Sequence, residues 1–502
     1  GYKRSTETKT LVVTAGKTSY VTFADEPVVG TMDLLIQKNV EGVSNVSLAD
    51  AQFRVEYFDN LETGGTAART WVFKTDTDGK VKLEDGYRVS GDALYKWKGA
   101  CVLPLGSIRV TEIKAPAGLK ICEEAKTFAI SQDGDAAKIS IDSAVKFTDE
   151  RIFGGVKIRK ADIESGISQA QGNGSLAGAV YGIYNNSGSD VVRKEDLSLA
   201  YAHGMEVARI TTNENGEASL GAVLQAGSYV IKEISPSEGY RVNRAYSQTF
   251  TITKDGEIAD LTGVTADEPP IRGGFTVAKK DLNTWVNLPQ GDASLEGAEF
   301  TLYNTSAGYV MVDADGDGLK EKYESGAVIA VFTTDAEGTI TTATDYLPYG
   351  SYRLVETAPP AGYKLEGRNL TWEFSIQSEG VLVTPDEEEQ PGDLIIKGGF
   401  SITKEDYETK DSSPQGDATV AGAIFTLYNL SSNAVMVDGT SYAAGEAIGT
   451  FVTGADGTVT TAADYLPYGT YRLTETQPPE GYTGDGENLD LTFTIRTDKE
   501  MF

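Results

Sequence analysis

The stretch Tyr352-Arg353-Leu354-Val355-Glu356-Thr357-Ala358-Pro359-Pro360-Ala361-Gly362-Tyr363 decides how the chain folds. Side chains alternate between faces along a strand, so Tyr352, Leu354 and Glu356 share one face, and the apolar pair assigns it to the core. The prolines and glycine that follow end the strand and force a turn. A near-duplicate runs from Tyr471 through Glu475 to Tyr482. Looser copies are Tyr229-Val230-Ile231-Lys232-Glu233 and Ile108-Arg109-Val110-Thr111-Glu112. Each places a glutamate where an apolar residue is expected.

Upstream of each glutamate a short apolar strand ends in a lysine: Ile36-Gln37-Lys38, Val156-Lys157-Ile158-Arg159-Lys160, Val277-Ala278-Lys279 and Ile402-Thr403-Lys404. Parity turns Lys38, Lys160, Lys279 and Lys404 inward, whereas Lys157 and Lys280 are expected to face solvent. The lysine-to-glutamate intervals are nearly constant, 112−38 = 74, 233−160 = 73, 356−279 = 77 and 475−404 = 71. The lysines recur at 160−38 = 122, 279−160 = 119 and 404−279 = 125, a period of whole domains rather than of solenoid repeats. A third signature closes three of the units: Phe147-Thr148-Asp149-Glu150, Thr265-Ala266-Asp267-Glu268 and Thr384-Pro385-Asp386-Glu387.

With 502 residues, abundant glycine and no sustained helical periodicity, the chain reads as tandem all-β domains. The expected divisions are 1–29 (the end of a preceding domain, with Val21–Pro27 as an acceptor-like strand), 30–153 with a longer insertion around Leu61–Trp97, 154–272, 273–397, and 398–502 lacking a last strand. A net charge of −30 argues against a nucleic-acid partner. No window approaches the length of an apolar membrane span.

A lysine, a glutamate and an aspartate inside one core allow two readings. One is a buried ion-pair cluster, which desolvation makes a poor stabiliser. The other is covalent. Burial lowers the amine pKa and raises those of the carboxyls, so a neutral amine can attack a neutral aspartic acid while the glutamate shuttles protons. Water leaves and an amide remains, removing the charge altogether.

The glutamate segment resembles the E-box of Gram-positive pilin and adhesin domains of the CnaB, or SpaA-type prealbumin-like, family, and matching elements cover essentially the whole chain. The resemblance implies reverse immunoglobulin-like β-sandwiches in an elongated array, each with a self-formed lysine isopeptide bond. By position it makes Lys38, Lys160 and Lys279 donors, Glu112, Glu233 and Glu356 catalysts, and Asp149, Asp267 and Asp386 acceptors. Lys404 and Glu475 stand in the fourth unit without an acceptor strand. Leu119 departs from the pattern, which has tyrosine there in the other three copies.

The expected role is a structural stalk segment of an extracellular, cell-wall-anchored adhesin or pilus-associated protein, its partners being other domains of that protein. It is not an enzyme beyond single-turnover self-crosslinking. Alternatives are a ligand-binding adhesin recognising host or matrix components, and spacer domains of an extracellular enzyme. The third unit also carries Asp313, Asp315, Asp317, Leu319, Glu321 and Glu324 at positions 1, 3, 5, 7, 9 and 12 of a twelve-residue Ca²⁺ loop, with Gly318 at 6. Calcium is the expected cofactor, an acidic hairpin tip the alternative. Cys101 and Cys122 are expected either to form a disulfide or to remain buried thiols.

Overall fold

The computed structural model describes residues 1–485 and 490–502. Among them the regular structure is almost entirely strand, broken by two single-turn 3-10 helices at Asp85–Tyr87 and Glu387–Glu389. Two compact units divide the chain. The first comprises Gly1–Lys160, Ala179–Ser235 and Asn243–Ala266; the second comprises Ala161–Gly178, Pro236–Val242 and Asp267–Phe502.

In the first unit, one sheet orders its strands Ala136–Ile139, Lys126–Asp133, Gly106–Lys114, Gln52–Phe58, Arg69–Lys74 and Arg88–Gly91. A second sheet sets Ile36–Val40 between Val145–Asp149 and Lys80–Val81. Both contribute to one core around Phe53, Trp71, Phe73 and Phe147. The insertion around Leu61–Trp97 is therefore built largely into the sandwich, since Arg69–Lys74 pairs with Gln52–Phe58. Residues 3–26 form no strand, so the acceptor-like strand expected at Val21–Pro27 is absent; Tyr2 bridges Pro27 instead.

A four-stranded sheet recurs with one order. In the first unit it runs Glu206–Thr211, Val180–Asn185, Gly227–Ser235, Ser247–Ile252. In the second it appears as Val328–Thr333, Glu299–Asn304, Gly350–Ala358, Thr371–Ile376, and again as Ala447–Val452, Ile424–Asn429, Gly469–Gln477, Asp490–Ile495. The glutamate strand is always third, flanked on both sides, so its inward residues are covered. In Gly350–Ala358 the buried positions include Tyr352, Leu354 and Glu356, as alternation requires. Gly362 then takes a φ of 87°, a left-handed turn that glycine adopts without strain.

Candidate functional site

In the first domain, Ile36–Val40 and Val145–Asp149 pair in parallel with Phe147 opposite Lys38. This register brings the Lys38 ammonium against Asp149, while Glu112 approaches from the other sheet. Lys38 Nζ lies 2.7 Å from Glu112 Oε1, and the side chains of all three residues are fully withdrawn from solvent. The Phe53 and Phe147 rings stand 5.7 and 5.8 Å from the ammonium and keep water out. Glu112 also accepts the Cys122 backbone N–H at 2.8 Å, which fixes its carboxylate. Burial pushes the Asp149 carboxyl up to about 7 despite the opposing pull of Lys38.

Lys160 is fully buried in the first unit, near Glu233. Burial raises the Glu233 carboxyl to about 7, against lowering by the Asn243 backbone N–H and by the Lys160 charge. Asp267 lies half-buried on the strand Ala266–Glu268.

The third domain corrects one assignment. Lys279 Nζ lies 2.5 Å from Glu356 Oε2 and 2.9 Å from Asp393 Oδ1, with all three side chains shielded from water. Asp386 is exposed and immediately precedes the 3-10 turn Glu387–Glu389, with no side-chain capping hydrogen bond to it. The segment after Val383 turns outward before the chain re-enters as Gly392–Ile395, which pairs in parallel with Lys280–Asp281 and carries Asp393 inward. The same pairing covers Lys280, which was expected to face solvent; its ammonium reaches Glu387 at 3.4 Å. Lys157 does lie at the surface, 2.8 Å from Asp260. Burial is again the main cause holding Glu356 at about 8, and the Lys279 charge opposes it.

In the fourth domain Lys404 Nζ is 3.0 Å from Glu475 Oε2, and the lysine side chain is 17% exposed. Of the two alternatives for Cys101 and Cys122 the structure has the thiols, unpaired and partly buried against the first core.

Each closed cluster holds one amine and two carboxyls in an apolar shell. Three charged groups there would leave a net −1 without water, so at least one carboxyl keeps its proton. Among the described residues Asp149 Oδ2 and Glu356 Oε1 meet no hydrogen-bond donor, which suits a protonated or condensed carboxyl better than a carboxylate. This arrangement can transfer protons over short distances and bring an amine nitrogen onto a carboxyl carbon.

The Ca²⁺-loop candidates behave differently. Asp313, Asp315 and Asp317 bring carboxylate oxygens within 4.8 Å of one another. Glu324 instead pairs with Lys322 at 2.8 Å, Glu321 begins the strand Glu321–Tyr323, and Leu319 is exposed.

Tandem β-sandwiches with a buried lysine–carboxyl cluster define the class. Residues 35–144, 155–265, 275–389 and 399–501 each match the family model of the SpaA prealbumin-like fold domain, and the chain belongs to that family. No curated protein matches it. Among solved structures it is similar to the Bacillus anthracis TIE protein (19% identity, 94% of this chain and 72% of that one, TM-score 0.45). It is also similar to a Streptococcal ancillary pilin (20%, 69% and 96%, TM-score 0.21) and to BcpA, the major pilin subunit of Bacillus cereus (14%, 73% and 99%, TM-score 0.24). Among the described residues no helix is long and apolar enough to cross a membrane.

Proposed function

We infer that the chain is a structural stalk segment of a Gram-positive surface or pilus-associated protein, with domains braced by self-formed Lys–Asp amides. The observation that carries this is the cluster of Lys279, Glu356 and Asp393, sealed from water and holding one more carboxyl than amines. Glu356, raised to about 8, holds a proton at neutral pH and can donate it to the Asp393 carbonyl oxygen. Lys279 passes one proton to the Asp393 carboxylate, and its neutral Nζ then attacks Asp393 Cγ of the resulting acid. The C–O bond to the departing hydroxyl breaks, water leaves, and the glutamate recovers its proton, so ammonium plus carboxylate become amide plus water. The same roles fall to Lys38, Glu112 and Asp149, and by the repeat to Lys160, Glu233 and Asp267.

Intact mass spectrometry of the reduced chain tests this: the mass is expected to fall short of the sequence formula by three waters. A full formula mass would leave only buried ion pairs.

A calcium ion on the third domain is a second part of the proposal. Three convergent aspartates supply hard oxygen donors of the type Ca²⁺ takes, and a bound ion would offset their mutual repulsion.

A further inference from the structure

Two residues after three of the four lysines stands an aspartate the crosslink does not use: Asp162, Asp281 and Asp406. Each is joined by a glutamine nine residues on (171−162 = 9, 290−281 = 9, 415−406 = 9) and by the tyrosine that ends the glutamate segment. Asp281 accepts from Gln290 Nε2 at 3.0 Å and from Tyr363 Oη at 2.8 Å. Asp162 does so from Gln171 and Tyr240, both at 3.0 Å, and Asp406 from Gln415 at 3.1 Å and Tyr482 at 2.7 Å.

Within the second unit, two of these triads hold a β-hairpin of the domain that follows. Gln171 Oε1 accepts the Met311 backbone N–H and Gln290 Oε1 accepts that of Met436, both at 2.8 Å. The next glycine pairs in both directions. Gly172 N donates to Tyr309 O at 2.7 Å and Gly308 N to Gly172 O at 2.9 Å. Gly291 N donates to Ala434 O at 3.0 Å and Asn433 N to Gly291 O at 2.9 Å. The residue after the glycine completes the contact: Asn173 accepts the Ala307 N–H, and Asp292 accepts the Ser432 N–H and the Thr470 hydroxyl. A Cβ on Gly172 would meet Tyr349 O at 1.9 Å, and one on Gly291 would meet Tyr468 O at 2.1 Å. Only glycine lets the two backbones approach this closely.

The third copy is built to the same pattern. Gly416 has φ of 60°, against 58° at Gly172 and 59° at Gly291. Yet a Cβ there would meet no atom of the described residues within 4 Å, and Gln415 is exposed where Gln171 and Gln290 are 2% and 3% exposed. Gln415 Nε2 is spent on Asp406 and Glu408, while its Oε1 accepts no hydrogen bond among the described residues. The first domain has Val40 and Leu119 at the aspartate and tyrosine positions, and its junction differs in kind. There Arg151 donates to Glu41 O and to Asn45 Oδ1.

We propose that the face formed by Asp406, Gln415, Gly416, Asp417 and Tyr482 is a docking site for another SpaA-type domain. That domain presents a hairpin strand like Val435–Val437 and a Pro-Tyr-Gly turn like Pro467-Tyr468-Gly469. The backbone supplies the N–H for Gln415 Oε1 and the two-way pairing for Gly416, and a serine or threonine hydroxyl meets Asp417.

Met501 bridges Gly399 as Leu382 pairs with Gly274, both in parallel, so residues after 383 continue naturally from Phe502. The test extends the full chain past Phe502 with a second copy of residues 384–502 and follows hydrogen exchange by mass spectrometry. The added copy's Met436 amide is expected to exchange about tenfold more slowly than in the same chain carrying Gln415→Ala, as loss of one ordinary hydrogen bond implies. Asp417→Ala is expected to deprotect the same hairpin. Both side chains are exposed, and unchanged exchange at Phe425–Leu427 shows that the fourth domain stays folded. Equal exchange of the added hairpin in parent and variants would overturn the proposal. Gln290→Ala in the unextended chain, read at Met436, calibrates the effect.

Discussion

Lys279 Nζ lies 2.9 Å from Asp393 Oδ1, although 393−279 = 114 residues separate the two in sequence. For the proposed crosslink this pairing assigns the acceptor role to Asp393 in place of Asp386, and the two can be told apart directly. Asp393→Ala is expected to restore one water to the intact mass, whereas Asp386→Ala leaves the mass unchanged. Tandem mass spectrometry of a digest would find the Lys279 peptide joined to the Asp393 peptide.

Loss of the proposed amide would release a long loop. By chain entropy, closing it is worth about 4–5 kcal/mol. Asp393→Ala is therefore expected to lower the third domain's melting temperature and open it to trypsin, with the first domain unaffected. Calorimetry of variant and parent reads both transitions, and an unchanged third transition would refute the bracing role.

Glu233→Ala removes the proposed proton shuttle of the second domain while leaving Lys160 in place. One water is expected to return to the mass, and the deficits belonging to Lys38 and Lys279 should persist. A variant that still shows all three deficits would mean that the amine and acid condense unaided.

The pH dependence of an unlinked domain follows from Glu233. Its folded pKa of about 7 lies above the ordinary carboxylate value because burial disfavours the anion. The folded state thus binds the proton more tightly than the unfolded state, so this contribution is full below about pH 4.5 and is lost as pH rises through about 7. Lys160→Met removes the proposed crosslink together with a cation that lowers Glu233. Its second domain is expected to melt progressively lower between pH 5 and pH 8, measured by calorimetry. A rise over that window would contradict the assignment.

The aspartate loop of the third domain is expected to bind one Ca²⁺ with a dissociation constant of about 10⁻⁴–10⁻³ M, in the range of extracellular modules. Asp315→Ala should abolish the calorimetric signal. Calcium should raise only the third domain's transition, since binding stabilises just the state it selects. Identical melting curves in calcium and chelator would reduce the loop to an acidic turn.

The inward lysines and glutamates were legible because strand alternation is local: Ile36 fixes the side of Lys38, and Leu354 that of Glu356. The third acceptor was not, because residues 384–391 displace the strand that motif matching sought. A longer-range signal was present. Acceptors precede the next lysine by 160−149 = 11 and 279−267 = 12 residues, and 404−393 = 11 continues the series where 404−386 = 18 breaks it. The aspartate–glutamine–tyrosine triads escaped notice for another reason. Their members come from three separated segments, and the groups they hold in the following domain are largely backbone amides, which no side-chain pattern records.

The parallel pairing of Ile36–Val40 with Val145–Asp149 has a mechanical meaning. A pull applied between the start of the first strand and the end of the last would slide them past one another. Their ladder of hydrogen bonds would then be loaded in shear, together rather than one rung after the next. With Lys38 and Asp149 joined, the force crosses from one strand to the other through the amide. Residues 39–148, which hold nearly the whole sandwich, would then carry none of the load.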